Sequence, residues 1–184
     1  AAGVRMLIVP VDIATEFTRK WADTSAFIAW FEDTLNQARA AYTKLAEANL
    51  CVPCDLPAEY LFEHTYFVVG AHPYSAPDYN QEAEQRLFEL LEYPLCVGVG
   101  EIGLDFGPYC EVSEEVQRQV FERQLSIAHE HNQRVELHLR DGADDTHAHD
   151  LALEILNRMG VHKAGCDLHC YTDGPEVMKP FADL

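Results

Sequence analysis

The stretch Leu95-Cys96-Val97-Gly98-Val99-Gly100-Glu101-Ile102-Gly103-Leu104-Asp105 is apolar and β-branched through its first half and turns acidic at Glu101. Residues 95–101 read as a short buried strand, because a continuous apolar run of this length suits a strand covered on both faces. Gly98 and Gly100 alternate with Val97, Val99 and Glu101, which leaves one strand face bare and lets a neighbouring backbone approach closely. Four more runs of this kind stand at 4–11, 66–71, 135–139 and 166–170, which makes five predicted strands.

Longer stretches of helical period separate them. Residues 113–132 give the clearest helix: Ser113 can cap it, Glu114 and Glu115 suit the positive end of its dipole, and Val116, Val120, Phe121, Leu125 and Ile127 form an apolar face. Further helices are predicted over 27–50, 80–92 and 148–159, the last stopped by Gly160, and the closing residues begin another. Residues 51–63 read as a long irregular connection. Strand and helix in regular alternation predict an α/β fold around a parallel sheet, of the (β/α)₈ TIM-barrel-like type. A full barrel takes about 250 residues, so 184 residues predict an incomplete one with about five parallel strands. No repeat or linker divides the chain, so 1–184 is expected to be a single domain, and the interrupted look of both ends suggests a fragment of a longer chain.

A net charge of −18 favours solubility and repels polyanions from most of the surface, which argues against a tight nonspecific grip on long duplexes. A bound cation can reverse that logic within one pocket. No apolar stretch is long enough for a membrane span, and the first residues lack the pattern of a secretory signal. Six scattered cysteines in a chain able to bury a core fit a reducing, cytoplasmic setting better than a disulfide framework.

Four predicted strand ends carry ligand-capable residues: His72, Glu101, His138 and His169. In parallel α/β folds these ends form one rim, where side chains distant in sequence converge. A carboxylate and two imidazoles suit a divalent ion with a position left open for water or substrate. The alternative is a set of separate buried polar residues. Arg140 suits bidentate phosphate recognition, or equally an internal ion pair with Asp141, and Asp105 reads as structural.

At these residues the chain resembles the TatD family of metal-dependent deoxyribonucleases, among the amidohydrolase-like barrels. Gly100-Glu101-Ile102-Gly103-Leu104-Asp105 is similar to the family's Gly-Glu-x-Gly-Leu-Asp signature, and Phe121-x-x-Gln124-Leu125 follows it. Gly70-Ala71-His72-Pro73, His138-Leu139-Arg140-Asp141 and His169-Cys170-Tyr171 match further segments in the family's order. The resemblance implies a binuclear centre: Glu101 bridges two divalent ions (Zn, Mg or Mn), His138 and His169 hold the second, and His72 lines the phosphate pocket. The family's His-x-His pair and late Asp, which hold the first ion, have no counterpart here. Tyr74 stands where many relatives carry a second His, and Asp173 where they carry Gly, which implies a different substrate preference.

The expected function is therefore metal-assisted hydrolysis of phosphodiesters, with Glu101 and Arg140 as catalytic residues and His72 and Arg140 as substrate contacts. Nucleic-acid ends or a small phosphodiester are the expected substrates, with no membrane partner. The rival is a noncatalytic family member that keeps the fold as a binding or structural domain; hydrolysis of a non-phosphate bond is a third reading. Three other pairs read as incidental. His129 and His131 sit on a helix where residues two apart diverge, His147 and His149 offer at most adventitious surface binding, and Cys51-Val52-Pro53-Cys54 lacks a partner motif. Cys166 and Cys170, flanking His169 on an extended strand, are expected to pack on the opposite face.

Overall fold

The computed structural model describes residues 4–48, 59–143, 145–160 and 163–184. Five parallel strands, β1 (Leu7–Asp12), β2 (Thr65–Gly70), β3 (Cys96–Asp105), β4 (Arg134–Arg140) and β5 (Cys166–Leu168), lie side by side in chain order. Helices α1 (Thr15–Lys20), α2 (Thr24–Glu47), α3 (Glu59–Glu63), α4 (Gln81–Leu91), α5 (Glu114–Glu130), α6 (His147–Met159) and α7 (Pro175–Ala182) join them, with a 3₁₀ turn over Pro73–Asp78. The α/β class and the incomplete barrel are as expected: the sheet does not close, and β1 and β5 are its edges among the described residues. No helix among these residues is long and apolar enough to cross a membrane.

The predicted elements recur with shifted ends. Strand β3 runs four residues beyond Glu101, to Asp105, so Glu101 lies inside the strand rather than at its tip. Helix α2 begins earlier than expected because Asp23 caps it, its Oδ1 accepting from Ala26 N at 2.8 Å. Ser113 occupies the cap position of α5 but makes no side-chain cap bond, so Glu114 and Glu115 in the first turn serve that end. Short α1 and α3 have too few residues to show a period, and α3 falls in the stretch read as irregular. Strand β5 stops at Leu168, and Cys170 adopts a left-handed φ of 47°, so Cys166 and Cys170 do not share an extended face opposite His169; both are exposed. Cys51 and Cys54 lie outside the described residues.

The core is built by Phe17, Phe27, Phe67 and Phe121 with the aliphatic faces of α4, α5 and α6. Two buried glutamines on α5 connect it to the rim. Gln124 accepts from Ala71 N (2.7 Å) and donates to Ala71 O (3.1 Å), while Gln117 makes the same pair of bonds with Asp105 N (2.7 Å) and O (2.9 Å). One helix face thereby fixes the ends of β2 and β3, where His72 and Asp105 stand.

Pairing of β3 with β4 slips between Val99 and Ile102, so Gly100 and Glu101 together oppose Glu136. Such a bulge turns a side chain out of the regular alternation and is common beside active sites. Gly100 makes it possible, since a Cβ there would come within 2.6 Å of the Glu136 Cβ. Gly103 is required twice over: its φ is +149°, and a Cβ would overlap the His138 carbonyl oxygen. Gly103→Ala is expected to lower stability by about 2–3 kcal/mol in urea unfolding. Gly160→Ala, with φ +90° and open space around it, should cost only about 1 kcal/mol; equal losses at the two sites would contradict this packing.

Candidate metal centre

The rim gathers the predicted residues around the Glu101 carboxylate. His138 Nδ1 lies 2.7 Å from Glu101 Oε1, and His169 Nε2 lies 3.8 Å from the same oxygen. The other nitrogen of each ring faces a different carboxylate: His138 Nε2 is 2.9 Å from Asp105 Oδ2, and His169 Nδ1 is 3.2 Å from Glu136 Oε1. Glu101, His138 and His169 line an open cleft of about 750 Å³ together with Arg140, Asp141 and Asp173.

His72 joins from β2, its ring centroid 4.3 Å from that of His138. Its backbone N–H donates to Asp12 Oδ2 (3.1 Å), and its Nδ1 accepts from Tyr74 N (3.2 Å). With Nδ1 accepting, the neutral ring carries its proton on Nε2, and the residue lines a neighbouring cleft with Asp12, Tyr74 and Glu101. Burial and the neighbouring His138 hold the His72 pKa below the ordinary imidazole value, which favours that neutral form.

Burial works against a charged His138, but hydrogen bonds with Glu101 and Asp105 outweigh it and raise its pKa. Glu101 is the counterpart: burial alone would raise its pKa, and the His138 bond carries it below the usual carboxylate range. For Glu136, burial, with Glu101 and Asp167 adding to it, outweighs the attraction of His169 and pushes its carboxyl upward.

Arg140, half-exposed, reaches Tyr74 Oη (3.5 Å) and Asp105 Oδ2 (3.6 Å). It makes no ion pair with Asp141. Asp141 instead caps α6, accepting from Ala148 N (2.6 Å) and His149 N (3.3 Å), and its Oδ2 meets His149 Nδ1 at 2.5 Å. Asp105, read from sequence as structural, is fully buried and joins His138 to Arg140.

Glu136 and His149 were not legible as part of the rim. Alternation along Glu136-Leu137-His138 places Glu136 on the His138 face, and that period-two spacing was the available signal. His149 is buried rather than a surface residue, with Asp173 Oδ2 3.6 Å from its Nε2. His147 is exposed and pairs with Glu114 (2.8 Å). Among the described residues, donor groups able to surround an ion are His72–Glu101–His138, Glu101–Glu136–His169 and Asp141–His149–Asp173, and neither His129 nor His131 belongs to one.

The donors fit a divalent ion. Buried carboxylates converge with imidazoles, and Glu136 Oε1 is buried without a hydrogen-bond partner, an arrangement that a cation would satisfy.

Residues 24–184 match the family described as TatD related DNase. The chain is 30% identical over 118 residues to an uncharacterized metal-dependent hydrolase, YabD, of Bacillus subtilis, a match covering 64% of this chain and 44% of that protein. It is 31% identical over 118 residues to the 3'-5' ssDNA/RNA exonuclease TatD of Escherichia coli, covering 64% of this chain and 43% of that one. Among solved structures, a TatD homologue from Escherichia coli, YJJV, superposes with a TM-score of 0.62 at 25% identity, over 99% of this chain and 54% of that one. The chain thus spans about half the length of the relatives it matches, or less.

A histidine whose pKa rises on folding adds stability that is complete below the ordinary value of about 6.5 and is lost as pH rises through the folded value. In chelator-treated protein, the stability gap between wild type and His138→Gln should therefore be widest at about pH 6 and shrink towards about pH 9. Denaturant titrations at each pH test this, and a gap that widens with pH would contradict it.

Proposed function

The chain belongs to the TatD family of related DNases, and from that premise we propose that it is a divalent-metal-dependent hydrolase of phosphodiesters acting on nucleic-acid ends. The observation that carries the reading is the convergence of His138 Nδ1 and His169 Nε2 on one oxygen of Glu101, at 2.7 and 3.8 Å. Glu101, with His138 on one side and His169 on the other, would hold Zn²⁺, Mg²⁺ or Mn²⁺, the two rings falling into two donor groups that share Glu101. A bound ion of this kind supplies Lewis acidity to a water and to a phosphoryl oxygen.

The chain's own residues then do the positioning. Neutral His72 offers its Nε2 proton to a phosphate oxygen, held in place by the Tyr74 and Asp12 contacts on the other side of the residue. Arg140 keeps part of its guanidinium free towards the cleft while Asp105 and Tyr74 steady the rest, a geometry suited to an anionic oxygen. Asp105 also orients the His138 ring, as buried carboxylates commonly do for metal-binding imidazoles.

Substrate form follows from charge. With a net charge of −18, attraction to DNA is confined to the cleft, so short single-stranded ends suit the protein better than long duplexes. The relative named as a 3'-5' ssDNA/RNA exonuclease supports the same choice. Free Cys96, Cys110, Cys166 and Cys170 fit a reducing, cytoplasmic setting.

Elemental analysis and cleavage assays on a short single-stranded oligonucleotide test the proposal. Glu101→Ala should lose bound ion and lower activity by about 100-fold or more. Arg140→Ala should keep its ion and lose about tenfold in kcat/KM. Equal ion content and equal activity in wild type and Glu101→Ala would defeat the reading, and ion binding without turnover in the wild type would assign a noncatalytic, binding role.

A further inference from the structure

We propose that Glu136, which lies outside the segments likened to the family above, is itself an ion ligand, completing with Glu101 and His169 a position for one divalent cation. This rests on the reading that Glu101 holds an ion and extends it to a residue that reading does not require. Glu136 is 8% exposed, and its Oε1 is shut off from solvent with no hydrogen-bond partner among the described residues. His169 Nδ1 is the nearest ring nitrogen, at 3.2 Å, yet it makes no hydrogen bond with that oxygen. One donor atom each from Glu101, Glu136 and His169 fall within 4.8 Å of one another, the spacing of ligands around a common ion.

The surroundings make a cation the fitting partner. The nearby Glu101 and Asp167 add negative charge, and in the parallel register Glu136 lies directly beside Asp167. No Lys or Arg forms an ion pair with Glu136 among the described residues. A carboxylate in that position needs either a positive charge or a donor, and the described protein atoms supply no hydrogen bond to Oε1. Two carboxylates and one neutral imidazole carry a charge of −2, which balances a divalent ion, and the mix of oxygen and nitrogen donors suits Mn²⁺ or Zn²⁺.

Local structure delivers the group on purpose-built geometry. The bulge at Gly100–Glu101 sets both residues against Glu136, and the missing side chain of Gly100 gives the Glu136 Cβ its space. A second group, His72–Glu101–His138, shares only Glu101 with this one. Glu101 therefore stands between two donor sets, and Glu136 belongs to the one that contains His169.

Titration calorimetry with Mn²⁺ on the purified protein, compared with Glu136→Gln, Glu136→Asp and Glu101→Gln, tests the assignment, with circular dichroism to verify folding. Gln preserves shape but removes the charge, and Asp preserves the charge but withdraws it by one methylene. Both are expected to weaken Mn²⁺ binding at the Glu136 position by at least about tenfold, and Glu101→Gln by more. If Glu136→Gln binds like wild type while Glu101→Gln does not, Glu136 is no ligand and the metal-dependent reading stands. If Glu136→Gln binds like wild type while a Glu136→Leu variant is impaired, Glu136 is only a hydrogen-bond acceptor for His169 and the proposal falls. If wild type binds no Mn²⁺, the metal-dependent reading fails and this inference fails with it.

Discussion

A carboxylate held inside a protein must be neutralised, protonated or paired, and the rim of this sheet is organised around that demand. Glu101 sits within reach of two imidazoles, with Asp105 and Glu136 on their far sides. Removing one partner from such a cluster costs more than any surface ion pair contributes, because the remaining charge stays buried. Three carboxylates face two rings, an arrangement rich in negative charge, and His138 responds by holding its proton more tightly. A divalent cation removes the same imbalance, which is why the electrostatics and the proposed chemistry point the same way.

The scaffold explains how the charges are kept together. Close pairing of β3 with β4 depends on glycine at positions 100 and 103, and the bulge between them aims Glu101 at the cleft. Helix α5 reaches the rim through Gln117 and Gln124, whose side chains bond both the N–H and the C=O of Asp105 and Ala71. On the far flank, Asp141 and His149 tie the loop after β4 to the first turn of α6, and Asp173 extends that tie to the loop after β5. These contacts hold the strand ends in place.

Much of this was legible from the chain alone, for definite reasons. Buried parallel strands read as unbroken apolar runs, so β2, β3 and β4 announced themselves, and a strand-end histidine or glutamate stands out against them. Ends of elements were harder, since β3 continues through Ile102-Gly103-Leu104 where Glu101 had looked like a terminus. Glu136 was overlooked because it stands just outside the His138-Leu139-Arg140-Asp141 segment, although its alternation with His138 places it on the same face, and its burial marks that face as inward. His149 was misjudged for the converse reason. Its Asp-rich setting suggested solvent, but Asp141 turns back to cap the helix and draws the ring under cover. Arg140 shows the same limit: adjacency suggested Asp141 as its partner, whereas the carboxylate it reaches is Asp105, 35 positions earlier.

The most direct trial of the account is anomalous diffraction from crystals of the protein loaded with Zn²⁺, recorded at the zinc edge. The account predicts a peak bonded to the Glu101 carboxylate and to a ring nitrogen of His138 or His169, each at about 2.0–2.2 Å. A loaded crystal whose zinc lies only elsewhere, at Asp141–His149–Asp173 or on the surface, with Glu101 bearing none, would contradict it.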